Sequence, residues 1–549
     1  MKRVETSTRY ATREEVDFVI VGSGSAGGIM ARELAAAGHS VVLLEKGPWV
    51  DPSEFRHDEW KTFFEYEWMG NGDGSHGQTF RASEDQVAAP TPFPPALYAK
   101  MVGGSSVHFT ANFWRFRPVD FNERSRLGPI AGTNFADWPL TYDELEPYYT
   151  RVDWEIGVSG TPAPDDPPRS RPYPMPPLAV KSSGVLMDRA AAKLGLHSHP
   201  APMAILSEVY DGRAPCINCG FCLAYGCEVN AKSSTLATMI PQAVSSGNCE
   251  VRPLSTVFQV ALGADGRARE VRYLDKDGLE HAQAAKAVIL SANGAETARL
   301  LLLSEIGNGS GMVGQNLMFN GQTAANGLFE HALNEFKGPQ VTRIVHDWYD
   351  TDPGRGFYGG GGLDARFQPG TPIWWAVGGG LPPSVPTWGA GFKDALERYY
   401  TRSMTVAVHT TSLPVASNNV TLDPTHTDQH GLPSLRITYR DHDDDLATMA
   451  FLQDRAREVL DAAGAQEVWA PEVVPQSAGA HLLGTTRMGT NPDTSVVDRY
   501  HRSHEIPNLF MVDGGSFVSS GRGQPTMTIM ALAFRAAEHI SEFARRGEI

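Results

Sequence analysis

The sequence predicts an α/β chain whose first domain is a Rossmann-type dinucleotide-binding unit. Three observations predict it. A strand, a glycine-rich turn, a helix, a second strand and an acid follow one another at the N-terminus. A second buried strand ending in an acid and two glycines lies near the C-terminus, just ahead of a long helix. Finally, 549 residues exceed what one simple core organises, so at least two joined domains are expected.

The N-terminal elements read in order. Asp17–Val21 is an apolar run suited to a buried strand, and Ser40–Leu44 is a second. Between them stand Gly22-Ser23-Gly24-Ser25-Ala26-Gly27 and the helical stretch Ile29–Ala37. Gly22, Gly24 and Gly27 permit a tight turn and let a pyrophosphate approach the helix N-terminus, with Ser25 beside it. Glu45 closes the second strand, where a carboxylate can accept ribose hydroxyls. The motif serves NAD as well as FAD; its place at the start of a long chain favours FAD. Gly103-Gly104-Ser105-Ser106 is a second glycine loop, fit for close approach to a planar ligand and for donation to phosphate.

At the other end, His481 precedes the turn Gly484-Thr485-Thr486. Leu509–Val512 reads as a short buried strand ending in Asp513, Gly514 and Gly515. Gln524-Pro525-Thr526 opens the helix Met527–Ile540, and the free N–H groups at its start would favour an anionic reduced flavin. Val257 completes the expected cofactor contacts.

Taken together, these pieces resemble the glucose-methanol-choline oxidoreductases, FAD enzymes that oxidise alcohols. The likeness also runs through Ile289–Thr297, Leu300–Ser304 and Val313–Met318, and so covers nearly the whole chain. It implies a Rossmann-type FAD-binding domain built from residues 1–319 and 476–549. Residues 320–475 would be an inserted α+β substrate domain, an antiparallel sheet covered by helices. The resemblance assigns the catalytic base to His481 and the second catalytic position, usually His or Asn, to Gln524. Glutamine can hydrogen-bond a substrate oxygen but cannot act as a base. A neutral imidazole with an ordinary pKa of about 6.5 can take the alcohol proton while flavin N5 accepts the hydride. His108 stands where some relatives bond a histidine covalently to the flavin; others with a similar loop hold FAD without that bond.

Four of the five cysteines, Cys216, Cys219, Cys222 and Cys227, fall within twelve residues. Two disulfides across such short loops would be strained, and zinc sites usually show two separated pairs. The spacing suits a small inorganic core. The surrounding loop, residues 210–235, resembles that of bacterial FAD-dependent glucose dehydrogenase catalytic subunits, which implies an iron–sulfur cluster, [3Fe-4S] or [4Fe-4S]. Such a cluster favours a dehydrogenase feeding cytochrome c or a quinone over an oxidase making peroxide. Cys249 stands apart and is expected to be structural.

With 47 basic and 63 acidic residues the net charge is −16, which argues against a nucleic-acid partner. No apolar stretch approaches the roughly 20 residues of a membrane span. The polar start Met1–Val16 carries no export signal, so a cytoplasmic location is expected, with periplasmic export through a small signal-bearing partner subunit as the alternative. The glucose dehydrogenase resemblance implies a sugar or glycoside hydroxyl as the substrate, with aryl, polyol and long-chain alcohols as the open alternatives. The rivals are an alcohol oxidase using oxygen and a non-catalytic flavoprotein electron carrier. Pro162–Pro177 and Gly359–Pro386 read as surface or lid loops. Trp374, Trp375 and the nearby Trp388 are candidates to stack on a sugar ring or to pack in a core.

Overall fold

In the computed structural model the described residues are 8–70, 76–164, 166–334, 336–367 and 370–549. The expectations for residues 1–7 lie outside them. Val16–Val21 and Val41–Leu44 pair in parallel, and their apolar side chains are buried. Such continuous apolar runs belong to strands covered on both faces. The parallel set runs Cys249–Arg252, Val41–Leu44, Val16–Val21, Glu280–Leu290, with Leu509–Met511 also parallel to the last. Leu509–Met511 thus brings the C-terminal end of the chain into the N-terminal sheet. The strand Glu280–Leu290 is long enough to serve two ladders: its first half closes an antiparallel meander with Thr256–Leu262 and Ala268–Leu274. The helices Gly27–Ala36 and Thr526–Arg545 pack on each other and bury Ile29, Met30, Leu34, Met530 and Phe534.

The second layer is a six-stranded antiparallel sheet. Its order is Glu467–Trp469, Gln322–Leu328, Ser403–Thr410, Gly361–Arg366, Val341–Val345, Ser198–Pro200. The central strand Ser403–Thr410 alternates as a strand must: Met404, Val406 and Val408 join an apolar cluster with Leu452, Ala456 and Val459 of the helix Asp443–Ala463. Thr405, Ala407 and His409 face the other way, into a cavity. That helix starts on a His442–Asp445 capping box, carries three aspartates in its first turn and ends at Gly464.

Two sequence expectations differ from this architecture. The boundary at 319/320 leaves out Ser198–Pro200, which supplies an edge strand of the second sheet, and the helix Ser182–Leu194, which packs on Asp443–Ala463. A three-residue edge strand is set by its pairing, not by its own pattern. Gly359–Pro386 is not one loop: Gly361–Arg366 is a sheet strand, and Pro372–Val377 is a helix whose Ile373 and Trp374 N–H groups donate to the Glu59 carboxylate at 3.1 and 2.6 Å. A third sheet joins Asn419–Thr427, Pro433–Thr438, Thr79–Arg81 and Ala89–Pro90. Among the described residues no helix is long and apolar enough to cross a membrane.

Candidate flavin and alcohol site

A cavity of about 770 Å³ reaches from the glycine loops to the six-stranded sheet. At the nucleotide end Gly27 has to be glycine, because a Cβ there would sit 1.9 Å from Gly22 O. Gly104 touches Gly24: a Cβ on it would come within 2.8 Å of Gly24 Cα. A Cβ on Gly24 would meet no protein atom, so this backbone is open to a ligand. Gly22, Gly24, Ser25, Glu45, Gly104, Ser105, His108, Val257, Asp513, Gly514 and Pro525 all line the cavity. Gly27 and Gly103 stand behind it as framework.

Ser23, which no local pattern marks as special, binds this end together. Its N–H and Oγ donate to Glu45 Oε2 at 3.0 and 2.6 Å, while Gly103 N–H donates to its Oγ at 2.9 Å. The first glycine loop, the acid and the second glycine loop are therefore tied together by hydrogen bonds. Thr235 adds a bond to Ser23 O at 3.0 Å. Burial raises the Glu45 carboxyl above its usual range, offset by donors from Ser23 and from Gly47 N–H at 2.9 Å. Asp513 accepts from Thr297 Oγ1 at 2.6 Å and Gly515 N–H at 2.8 Å, and burial pushes it up to about 6. Open glycine backbone, a buried carboxylate and a helix N-terminus suit a dinucleotide, so these residues fit FAD.

At the reacting end His481 and Gln524 lie together on the cavity wall, within hydrogen-bonding reach of each other. His481 Nδ1 is 3.0 Å from Asn320 Oδ1. Burial, then the field of His409, lowers His481 to about 4, well below the value expected from sequence. The ring is therefore neutral at pH 7, with a lone pair to accept a proton. Gln524 is carried by a loop anchored through Arg522, whose guanidinium pairs with Asp120 at 2.6 Å and with Glu123. The sheet side adds His409, Thr405, Gln322 and Arg366, which sequence did not single out. Arg366 Nε donates to Asp364 at 2.5 Å, so its charge is balanced within the wall. Of the three tryptophans, Trp374 lines the cavity, Trp375 is buried and Trp388 is exposed. Phe63 and Phe93 stack on Trp374 with centroids 5.5 and 5.7 Å away.

The cysteine loop abuts the same cavity through Leu223 and Ala224. All five cysteines are free thiols. Cys216 Sγ accepts from Asn218 N–H and Cys227 Sγ from Lys232 N–H, both at 3.4 Å. Burial pushes Cys222 up to about 12 and raises Cys216 and Cys219. The donors suit iron in kind, but not in placement. Among the described residues no three His, Cys, Asp or Glu side chains are grouped to hold a metal ion. The ligand set expected at Cys216, Cys219, Cys222 and Cys227 is thus not assembled in this conformation.

Known proteins bear on this site. Family models for GMC oxidoreductase match residues 174–320 and 414–533. The chain is 33% identical to a 2-methyl-1,2-propanediol dehydrogenase of Mycolicibacterium austroafricanum, covering 96% of this chain and 95% of that one. It is 30% identical to a gluconate 2-dehydrogenase flavoprotein of Pantoea cypripedii, covering 96% and 94%. In fold it is similar to pyridoxine 4-oxidase from Mesorbium loti, with a TM-score of 0.64 at 18% identity over 96% of this chain and 99% of that one. With this likeness along its length, the chain belongs to the GMC oxidoreductase family and is an FAD-dependent oxidoreductase of CH–OH donors.

Proposed function

We propose that this protein is a dehydrogenase that oxidises an alcohol carbon, best a sugar or glycoside hydroxyl, with His481 as the base. The observation that carries the reading is the fixed, neutral His481 beside Gln524 on the wall of the cavity. Bound FAD supplies the two-electron acceptor for the hydride. The substrate hydroxyl donates to the cavity-facing nitrogen of His481, which takes its proton as the C–H bond breaks. The Gln524 amide holds the same oxygen and orients the carbon. The polar side chains of Thr405, Gln322 and Arg366 share one cavity with the aromatic Trp374, a mix of linings that suits a ring carrying both hydroxyls and C–H groups.

The two relatives at 30% identity or more are named as dehydrogenases, which supports an acceptor other than oxygen. In this reading Cys216, Cys219, Cys222 and Cys227 would hold an iron–sulfur cluster, which would require a different thiol arrangement from the present one and loss of their protons, as metal binding requires. The loop's spacing, the two N–H···S bonds and its contact with the cavity wall support that role; the alcohol chemistry above does not depend on it. A panel of sugars, polyols and simple alcohols, assayed with an artificial electron acceptor and in parallel for oxygen uptake, tests the proposal. Turnover with the dye and little oxygen consumption is expected. Stoichiometric hydrogen peroxide at full rate would instead make the protein an oxidase.

A further inference from the structure

Asn320 does not line the cavity and carries no motif, yet it holds the ring that does. It is fully buried, and its backbone sits in the left-handed region at φ 61°. Its Nδ2 lies 3.0 Å from Thr410 O, 3.4 Å from Ser520 O and 3.2 Å from Gly521 O. Three carbonyls can only accept, so this atom must be the amide nitrogen, and the other must be the oxygen. That oxygen can only accept from His481 at 3.0 Å, so His481 Nδ1 carries the hydrogen. Nε2, on the far side of the ring, is then the unprotonated nitrogen. We infer that Asn320 is a positioning residue that fixes the tautomer and rotation of His481, so that the nitrogen facing the substrate is always the one able to accept a proton. The inference rests on His481 being the base.

The same side chain joins two segments of the site. Thr410 follows His409, and Ser520 and Gly521 begin the loop that carries Gln524. Asn320 is itself held from behind: Gln476 Nε2 donates to Asn320 O at 3.1 Å and to Asp441 Oδ1 at 3.0 Å, and Gln476 N–H donates to Asp441 Oδ2 at 2.6 Å. The proton balance follows. The alcohol O–H proton goes to Nε2, the carbon-bound hydrogen leaves as hydride with the C–H electron pair, which FAD would accept, a C=O bond forms, and the new imidazolium keeps its Nδ1–H on a neutral amide. A neutral acceptor stabilises that cation less than a carboxylate would, so the proton passes on readily. His409 is the titratable group whose field reaches His481, and Gln524 is the neutral neighbour.

The test is a double-mutant cycle on the FAD-loaded protein, read as the rate of anaerobic flavin reduction by a substrate alcohol. Asn320→Ser should slow reduction roughly 100-fold, the scale of a misplaced reacting group, with little change in KM. In a His481→Ala background the same change should alter the rate by less than about threefold, because its route of action is gone. An equal loss in both backgrounds would show a merely structural role and overturn the inference. A native rate in His481→Ala alone would instead remove the base on which it rests. Should Asn320→Ser lose its flavin, Asn320→Asp decides: a carboxylate acceptor should move the apparent pKa of reduction upward by at least about one unit. An unmoved pKa would contradict the positioning role.

Discussion

His108 and Ala224 exchange two hydrogen bonds, Ala224 N–H to His108 O and His108 Nδ1–H to Ala224 O, both at 2.9 Å. This pair clips the cysteine loop to the glycine loop at the cavity wall. It also fixes the tautomer of the His108 ring. Nδ1 must donate to the carbonyl, and Nε2 lies 2.7 Å from Met101 Sδ. Burial lowers the ring to about 3, so it stays neutral.

With Nδ1 engaged by the Ala224 carbonyl and Nε2 against Met101 Sδ, both ring nitrogens of His108 have protein neighbours, and FAD is expected to bind without a covalent link to it. Acid precipitation should release FAD into the supernatant. Flavin colour retained in the washed pellet would show the covalent bond and contradict this expectation.

The cysteine loop yields a prediction about iron. Protein prepared anaerobically should contain about three to four irons per chain, as cluster stoichiometries require. Cys222→Ser should lose iron and turnover with a cytochrome-type acceptor, while the alcohol still reduces the flavin at the native rate. Iron-free protein passing electrons to that acceptor at full rate would contradict the cluster.

The pH dependence follows from His481. Burial and the field of His409 hold it at about 4, and only the unprotonated ring can take the alcohol proton. The rate of flavin reduction should therefore rise with pH through about 4 and lie flat from about 5 to neutrality. Rapid pH-jump mixing measures this before acid damages the fold. An inflection near 6.5 would mean a solvated histidine at the reacting end.

Ser23 offers a test of the nucleotide end. Ser23→Ala removes the hydroxyl that donates to Glu45 and accepts from Gly103. Hydrogen bonds to charged groups are worth about 1.5–3 kcal/mol, so FAD should bind roughly 10- to 100-fold more weakly. Titration of apoprotein with FAD measures it; unchanged affinity would leave Ser23 without a role in the cradle.

The nucleotide motif was legible because it is local: strand, turn, helix and acid follow one another within Asp17–Glu45, and the geometry they need is set by near neighbours. His481 was legible through its motif. Asn320 was not, because its meaning lies in a partner 161 residues away. The polar face of the six-stranded sheet was hidden for the same reason, since Arg366, Thr405 and His409 acquire a common wall only when Gly361–Arg366 pairs with Ser403–Thr410. The glycines of Gly359–Pro386 read as loop, yet two of them serve packing: a Cβ on Gly361 would lie 2.1 Å from His409 O, and one on Gly362 2.3 Å from the His346 ring.

The central claim is that His481 removes the alcohol proton beside bound FAD, and anaerobic stopped-flow reduction of the flavin tests it most directly. A substrate alcohol should bleach the flavin of the native protein. His481→Ala should keep its FAD and bleach at least about 100-fold more slowly, the usual scale of a lost general base, with Gln524→Ala affected less. A His481→Ala variant that bleaches at the native rate would contradict the account.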